Sequence, residues 1–268
     1  MPGVSRLSRT FSYRPGVGEL SRVGMLVIRQ LAEDAADLFL GTRCVGCGRP
    51  SRTLCSVCET QLAGPARRTV PDPVPAGLPA VFAVTAYDGV ARTAILAHKE
   101  RGCAPLAGPL GAAMRRALTA AVESTPSGDP VAAMPAGPEP PLVVPIPSRR
   151  ESVRQRGYDP LHRIVRRALG PVWRPAARAG VLCPALGFVR TVADQAGLDI
   201  AARRHNLAGA FSVRPRFRER VANRTVVLVD DVMTTGSTLV EAARALREAG
   251  ARVSSAAVIA ATVRQRPS

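Results

Sequence analysis

The segment from Thr225 to Gly250, TVVLVDDVMTTGSTLVEAARALREAG, constrains the fold more than any other part of the chain. It opens with VVLV, a run of β-branched and aliphatic residues that predicts a strand buried on both faces. Two acids and a loop of small hydroxyl residues follow, and LVEAARAL then repeats apolar residues at helical spacing. The Val- and Ala-rich run RVSSAAVIAATV comes next. A strand, a helix and a second strand in this order predict parallel strands covered by helices.

The middle of the chain shows the same alternation of strand and helix patterns. AVFAVTAY and LVVPIP are predicted to be strands, while DGVARTAILAHKERG, GPLGAAMRRALTAAV and the basic run from Glu151 to Leu169 are predicted to be helices. Residues 122–141 lack any such pattern and are predicted to be a flexible insertion. We therefore predict an α/β domain over residues 81–268, with a largely parallel sheet flanked by helices.

The first 80 residues are organised differently. Residues 1–24 are expected to be a disordered tail, or an over-long start to a chain that begins at Met25. The segment from Met25 to Leu40 has apolar residues at helical spacing and predicts a short amphipathic helix. A Cys- and Gly-rich stretch follows to Leu62, and residues 63–80 are predicted to be a Pro-rich linker. Residues 25–62 are thus predicted to form a small module of their own.

Four cysteines of this module have the spacing C-x2-C-x7-C-x2-C: Cys44, Cys47, Cys55 and Cys58. Each C-x2-C pair turns two thiolates toward one point, and two pairs complete the tetrahedron that zinc prefers. Gly46 and Gly48 suit the tight backbone of the first pair. The alternatives are an iron–sulfur cluster or two disulfides, which need an oxidising compartment that nothing in the sequence supports. We expect a structural zinc ion, because four protein ligands leave no open position for catalysis.

The basic composition is a weak guide to partners. The formal net charge of +17 is typical of proteins that bind nucleic acid or anionic membranes. Lys99 is, however, the only lysine, and Arg, Ala, Gly and Pro are all abundant, which indicates the codon usage of a G- and C-rich genome. No apolar run reaches about 18 residues, and residues 1–24 lack an apolar core of signal-peptide length. We expect a cytoplasmic protein without a membrane span.

Asp230 and Asp231 follow the predicted strand VVLV, at the edge of the sheet where α/β proteins bind ligands. The turn TTGST then carries four hydroxyl residues around a glycine and opens a helix. Backbone N–H groups, hydroxyls and the positive helix end make a phosphate cradle, while a carboxylate pair accepts hydrogen bonds from sugar hydroxyls. The alternative is an ordinary capped helix start, which needs one hydroxyl residue and no acid pair. A sugar phosphate is therefore the expected ligand.

The motif VVLVDDVMTTGST resembles the one with which type I phosphoribosyltransferases bind 5-phosphoribosyl 1-pyrophosphate (PRPP). More narrowly, the chain resembles the ComF family, which joins a four-Cys zinc finger to a phosphoribosyltransferase-like domain. The resemblance rests on ordered blocks between residues 25 and 262: the Cys pairs, YDGVARTAILAHKERG, VVPIPSRRESVRQRGYD, VRTVADQAGLDIAARRHNLAGAF and the PRPP motif. Asp159 departs from the family pattern, which usually has Asn, and puts in doubt any contact that needs an amide.

The resemblance implies a type I phosphoribosyltransferase-like fold and roles for individual residues. Asp230 and Asp231 would recognise the ribose hydroxyls, with Mg²⁺ between the pyrophosphate and the sugar. The residues implied to hold the 5-phosphate are Thr234, Thr235, Gly236, Ser237 and Thr238. Those implied for the pyrophosphate are Ser148, Arg149 and Arg150, and further candidates near the site are Arg156, Arg190 and Gln195. With the two acids, Arg156 and Arg190 are the candidate catalytic residues, and for each arginine the alternative is a solvated surface position.

Two neighbours in the block YDGVARTAILAHKERG carry polar side chains of interest. Lys99, the lone lysine, is a candidate for a specific ammonium role. His98 is interpreted as a packed or helix-surface residue rather than a catalyst.

The resemblance leaves the function divided between two main hypotheses. One is a phosphoribosyltransferase that passes the phosphoribosyl group of PRPP to an unknown acceptor and releases pyrophosphate. The other is a non-catalytic accessory protein in DNA uptake during transformation, whose zinc module contacts single-stranded DNA or a helicase partner. A regulatory nucleotide-binding protein is a third reading. Nothing in the sequence resembles the base pocket of a known purine or pyrimidine enzyme, and fold alone does not decide between these functions.

Overall fold

The computed structural model describes residues 43–124, 139–170, 180–190 and 207–262. Their helices are α1 (Ser56–Gln61), α2 (Gly89–Glu100), α3 (Ala107–Glu123), α4 (Arg150–Arg156), α5 (Pro160–Leu169), α6 (Arg218–Val221) and α7 (Ser237–Glu248). Their strands are β1 (Arg67–Thr69), β2 (Ala80–Ala86), β3 (Leu142–Pro145), β4 (Val181–Leu182), β5 (Leu186–Phe188), β6 (Phe211–Val213), β7 (Thr225–Met233) and β8 (Arg252–Ala261).

Six of these strands form one sheet, in the order β1-β2-β8-β7-β3-β4. Neighbours from β2 to β4 are all parallel, whereas β1 runs antiparallel to β2 at one edge. The remaining two, β5 and β6, pair antiparallel in a small separate sheet. α3 packs on α5, β2 and β8, while α7 packs on β6, β7 and β8, so helices flank the sheet. The predicted α/β class with a largely parallel sheet is confirmed.

The central strands owe their burial to uninterrupted apolar sequence. All four residues of β3 are buried, as are the residues of β7 from Val226 to Val229 and those of β8 from Ser255 to Ala261. β7 is longer than its apolar run predicts, because it runs through both acids to Met233 and pairs with β8 as far as Ala261. The prediction that both acids follow the strand is therefore wrong. Main-chain pairing to the ten-residue β8 extends the strand by four residues beyond Val229.

The connections across the sheet diverge between β3 and β7. After β3 the chain passes through α4 and α5 to β4 on one side, and after β7 it passes through α7 to β8 on the other. The carboxyl ends of β3 and β7 thus flank a topological switch point, where open α/β sheets form their ligand crevice. The two loops that reach this crevice are residues 146–149, after β3, and residues 234–236, after β7.

The cysteine-rich segment packs directly on the α/β domain. Four residues of this segment are buried in the apolar core that it shares with the α/β domain: Cys44, Leu54, Cys58 and Leu62. Gly46 lies so near α2 that a Cβ atom on it would be 3.0 Å from Cγ2 of Val90. Residues 63–80, predicted to be a linker, contribute β1 to the sheet and bring Leu78 against Gly236. The division into module, linker and domain stays a prediction.

Several predicted features lie outside the described residues. They are the N-terminal tail 1–24, the helix of residues 25–40, most of the insertion 122–141, and the end of the domain beyond residue 262. Across the insertion, α3 continues to Glu123 and β3 begins at Leu142. Within the described ranges, no helix is long and apolar enough to span a membrane.

Candidate functional site

A cleft of about 660 Å³ lies at the switch point, between α2, the loop after β3, the β5–β6 pair and the end of β7. The predicted site residues that line it are Ser148, Arg149, Arg156, Asp230, Asp231, Thr234 and Thr238. They come from separate parts of the sequence and meet because β3 and β7 are adjacent and parallel. Thr235, Gly236 and Ser237 occupy the turn between the two lining threonines.

The two acids at the centre of the cleft interact with each other. The backbone N–H of Asp231 donates to Oδ1 of Asp230 at 2.8 Å. Burial, and after it the neighbouring Asp231 carboxylate, raise the pKa of Asp230 to about 8. The acid pair therefore carries less than two full negative charges near neutral pH.

Lys99 supplies the counter-charge to this pair. Its Nζ lies 2.9 Å from Oδ2 of the buried Asp231. The attraction of Asp231 raises the pKa of Lys99 above its ordinary value, so the group is an ammonium throughout the neutral range. The sequence indicates a specific ammonium role for this lone lysine, but its partner becomes visible only in the fold.

The start of α7 forms the second polar wall of the cleft. Gly236 is its N-cap residue, with φ of +75°, a left-handed conformation that glycine adopts without strain. No side chain caps the helix there, and Ser237 N lies 3.4 Å from Thr235 Oγ1 in a long contact. Thr235 Oγ1 and Ser237 Oγ lie 3.0 Å apart. The helix start thus differs from an ordinary capped turn and leaves its positive end without a capping side chain.

The loop after β3 is held by a carboxylate on the far side of α4. Ser148 Oγ donates to Oδ1 of Asp159 at 3.0 Å, and the same oxygen accepts from the backbone N–H of His162 at 3.0 Å. Arg149 precedes α4 and Arg156 ends it, and both are half-buried in the cleft lining. Because β2 and β3 lie on opposite sides of β7, these arginines and Lys99 approach the acid pair from opposite sides.

An apolar wall completes the cleft. It is lined by Ile95, Leu96, Ile146, Pro147, Pro160, Leu161, Phe188, Leu207 and Phe211. The rings of Phe188 and Phe211 lie 5.0 Å apart and are tilted by 58°. Glu241 of α7 fixes this wall, since its carboxylate accepts from Phe211 N at 3.2 Å and from Arg244 at 2.6 and 2.8 Å. The sequence analysis does not predict this wall, because β5 and β6 have only three residues each, too few to show a periodic pattern of apolar residues.

Other predicted residues are placed differently. Arg190 is exposed, does not line the cleft and donates to the carbonyl of Ala208 at 2.8 Å. Gln195 lies outside the described residues, and of Arg150 only the backbone is described. His98 is fully buried, with its ring nitrogens 3.0 and 3.3 Å from two carbonyl oxygens, in agreement with its interpretation as a packed residue.

The four cysteines converge on one point, with all their sulfur atoms within 4.8 Å of one another. A tetrahedral zinc site with Zn–S bonds of about 2.3 Å places its sulfurs about 3.8 Å apart, so this cluster can hold the ion. Burial opposes charge on Cys44, but N–H groups of Cys55, Cys47 and Gly46 outweigh it and lower the pKa of its thiol to about 6. A Cβ atom on Gly46 would lie 2.9 Å from the sulfur of Cys58, which explains the glycine.

Comparison with known proteins gives two matches to this chain. Residues 175–268 match the family model described as Phosphoribosyl transferase domain. Over 62 residues the chain is 47% identical to Competence protein F of Haemophilus influenzae, a stretch that makes up 23% of this chain and 27% of that protein. The chain thus spans about a quarter of the length of the curated relative it matches. The family match contains the acid pair and the turn after it, but not Lys99 or the loop after β3.

Proposed function

We propose that this chain is a ComF-type protein with a phosphoribosyl transferase domain and that its switch-point cleft binds PRPP. One observation carries the proposal: the acid pair, the uncapped start of α7 and the basic loop after β3 meet in a single cleft. A ribose with phosphate groups at both ends needs these three kinds of contact together. Ribose hydroxyls can donate to the acid-pair oxygens that the contacts with Lys99 and with the Asp231 backbone do not use.

The 5-phosphate binds the turn from Thr234 to Thr238. Two features support this placement, namely the missing side-chain cap at Gly236 and the hydroxyls of Thr235 and Ser237 next to it. Backbone N–H groups and the helix dipole then satisfy the phosphate oxygens. The ribose hydroxyls donate to Asp230 and Asp231, and the pyrophosphate extends toward Ser148 and Arg149.

Magnesium fits this arrangement as part of the ligand. Carboxylate and phosphate oxygens are the ligands that Mg²⁺ prefers, and Asp230 and Asp231 supply the protein's share. Bound Mg²⁺ would neutralise the pyrophosphate and make it a better leaving group.

The proposed reaction is transfer of the phosphoribosyl group to a nucleophilic acceptor. The C1–oxygen bond to pyrophosphate breaks and its electron pair leaves with the pyrophosphate, a bond from C1 to the acceptor forms, and the acceptor's proton passes to solvent water. The negative charge of the acid pair beside C1 stabilises the positive charge that develops there, and Arg156 helps to hold the departing pyrophosphate. Catalysis of this kind depends on positioning and electrostatics rather than on a covalent intermediate.

Calorimetric titration with PRPP in magnesium buffer tests the proposal. We expect saturable binding by the wild type and at least a tenfold loss in the variant Asp230→Asn/Asp231→Asn, since about 1.4 kcal/mol corresponds to tenfold. Glu219→Gln, an exposed carboxylate on α6, is the matched control and should bind like the wild type. The absence of wild-type binding, or equal binding by the acid-pair variant, contradicts the proposal. Pyrophosphate release on addition of candidate acceptors then tests the transfer step.

We further propose that the four cysteines bind a structural zinc ion. The compact sulfur cluster and the buried positions of Cys44 and Cys58 support a closed site rather than an exchangeable one. Metal analysis of freshly purified protein should give about one zinc per chain, and none in a variant with Cys44 and Cys58 replaced by serine.

An accessory role in DNA uptake is the second candidate, and one surface favours it. The helices α3 and α5 pack side by side and carry exposed arginines that include Arg115, Arg166 and Arg167. No acid occurs in α5, and the one acid of α3 is its last residue, Glu123. A surface of exposed arginines with few acids can contact the phosphates of single-stranded DNA.

Salt-dependent DNA binding distinguishes this surface from general basicity. Replacing Arg115, Arg166 and Arg167 with glutamine should weaken binding to single-stranded DNA and reduce the salt slope by up to about three. The matched control replaces Arg216, Arg218 and Arg220, which are also exposed and belong to α6 or the residues just before it. If the two triple variants lose DNA affinity equally, the binding is due to the general positive charge of the protein and not to the surface of α3 and α5.

A further inference from the structure

Lys99 occupies a position that the proposed roles of the acids and the α7 loop do not use. It is the only lysine in the chain, and it lies in the last turn of α2. Its ammonium pairs with Asp231 at 2.9 Å, while the side chain keeps 46% of its surface exposed and lines the cleft. The side chain is therefore accessible to a ligand in the cleft.

The chemistry open to Lys99 is that of a fixed cation. Its Nζ forms an ion pair with the carboxylate of Asp231 at 2.9 Å, and an opposite charge at this distance favours the ammonium form. Its ammonium group has three donors, and the contact with Asp231 uses one of them. The remaining donors are suited to the oxygen atoms of an anionic ligand.

The charges around the acid pair define where such an anion would lie. The acids of the cleft lining are Asp230, Asp231 and Glu100, and the 5-phosphate cradle lies beyond them at α7. Lys99 stands on the β2 side of β7, and Arg149 stands on the β3 side. An anion next to the acids is therefore bracketed by cations from two sides.

The chemistry of ribose connects this position to C1. The carbon that bears the 2-hydroxyl is bonded to C1, which carries the pyrophosphate. If Asp231 binds a ribose hydroxyl, Lys99, which is paired with Asp231, therefore also lies near the group on C1. We propose that Lys99 binds the pyrophosphate group on C1 and thereby selects PRPP over ribose phosphates that lack it, an inference that rests on the proposed function. Lys99 is thus a specificity-determining residue rather than a partner of Asp231 alone.

Paired titrations separate this role from a general effect on the cleft. PRPP and ribose 5-phosphate share the ribose and the 5-phosphate, and they differ in the C1 pyrophosphate. Lys99→Met should lose about tenfold to a hundredfold in PRPP affinity and less than about threefold in ribose 5-phosphate affinity. Lys99→Arg, which keeps the charge, should remain closer to the wild type for PRPP.

The lone lysine also permits a direct test of contact. Full-length wild-type protein is treated with an amine-specific reagent at about pH 10, where part of a lysine population is deprotonated, with and without inorganic pyrophosphate, and the extent of Lys99 modification is read by peptide mass mapping. Pyrophosphate should protect Lys99, and an equal concentration of sulfate should protect it much less.

The outcomes are distinguishable. A selective loss of PRPP affinity in Lys99→Met, together with protection by pyrophosphate, supports the inference. Equal losses for both ligands, no loss for either, or unprotected Lys99 overturns it while the PRPP site stands. Wild-type protein that binds neither sugar phosphate overturns the proposed function itself.

Discussion

The carboxylate of Asp159 shows how one residue can depart from a family pattern without loss of structure. Its Oδ1 accepts from the hydroxyl of Ser148 and from the backbone N–H of His162, which stabilises the loop after β3 and caps α5. Both partners are donors, so neither bond needs an amide hydrogen. An Asn oxygen, as in the ComF pattern, can accept the same two bonds. The absence of an amide at position 159 therefore does not affect these two hydrogen bonds.

Substitution of Asp159 tests this explanation. Asp159→Asn should change the free energy of unfolding by less than about 0.5 kcal/mol, because the acceptor oxygen remains. Asp159→Ala should lower it by about 1–2 kcal/mol, because it leaves the N–H of His162 without its cap and frees Ser148. Urea denaturation of the two variants gives both values. Equal losses would show that the negative charge, and not the acceptor, stabilises this corner.

Asp230 makes stability depend on pH in an unusual direction. Burial first, and then Asp231, raise its pKa to about 8, whereas an unfolded Asp has a pKa of about 4. Between these values the folded protein binds more protons than the unfolded chain. The stability that protonation of Asp230 confers is therefore complete below about pH 4 and is lost as the pH rises toward 8.

The variant Asp230→Asn isolates this effect, since the amide keeps the shape and does not titrate. Its free energy of unfolding should exceed that of the wild type by a margin that grows from about pH 5 to pH 8, at no more than about 1.4 kcal/mol per pH unit. Denaturation series at several pH values measure the margin. A constant margin would mean that Asp230 titrates in the folded protein as it does in the unfolded chain.

At the scale of elements, α3 and α5 approach closely because one position of α3 has no side chain. A Cβ atom on Gly111 would lie 2.6 Å from Cβ of Arg167 and 3.3 Å from the backbone of α5. Gly108, one turn earlier on the same helix, is exposed, and a Cβ atom there would meet nothing within 4 Å. The two glycines therefore differ in packing while sharing a helix.

This pair gives a matched test of the α3–α5 contact. Gly111→Ala should lower the free energy of unfolding by about 1–3 kcal/mol, because the helices must move apart. Gly108→Ala should leave it unchanged or raise it by up to about 1 kcal/mol through helix propensity. Chemical denaturation of the two variants measures both, and a stable Gly111→Ala protein would show that α5 can shift without cost.

The elements also show how far the sequence could predict this fold. The apolar runs of β3, β7 and β8 and the helical spacing of α7 predict the parallel core, because buried strands need such runs. β1 was not predictable, since three residues in a Pro-rich segment carry no pattern and pair only because β2 offers a free edge. The contact of Lys99 with Asp231 depends on the order of strands, which local sequence does not encode.

On the scale of the whole molecule, the cysteine cluster and the cleft are joined through α2. Gly46 of the first Cys pair lies against Val90 in the first turn of this helix, and Lys99 in its last turn pairs with Asp231. The segment after the cluster reaches the other polar wall, where Leu78 packs on Gly236. Both walls of the cleft are thus supported by residues that lie near or directly after the cysteines.

Metal removal should therefore affect more than the cysteine segment. A chelator that strips the proposed zinc is expected to lower the melting temperature of the whole protein in a single transition, because Cys44 and Cys58 belong to the common apolar core. It should also weaken PRPP binding, because α2 loses its support near Val90 and Lys99 no longer holds its position. Calorimetric scans and PRPP titrations before and after chelation measure the two effects. Cys103→Ser, a cysteine outside the cluster, should keep its metal, and a chelated protein that melts and binds PRPP unchanged would show the cluster and the cleft to be independent.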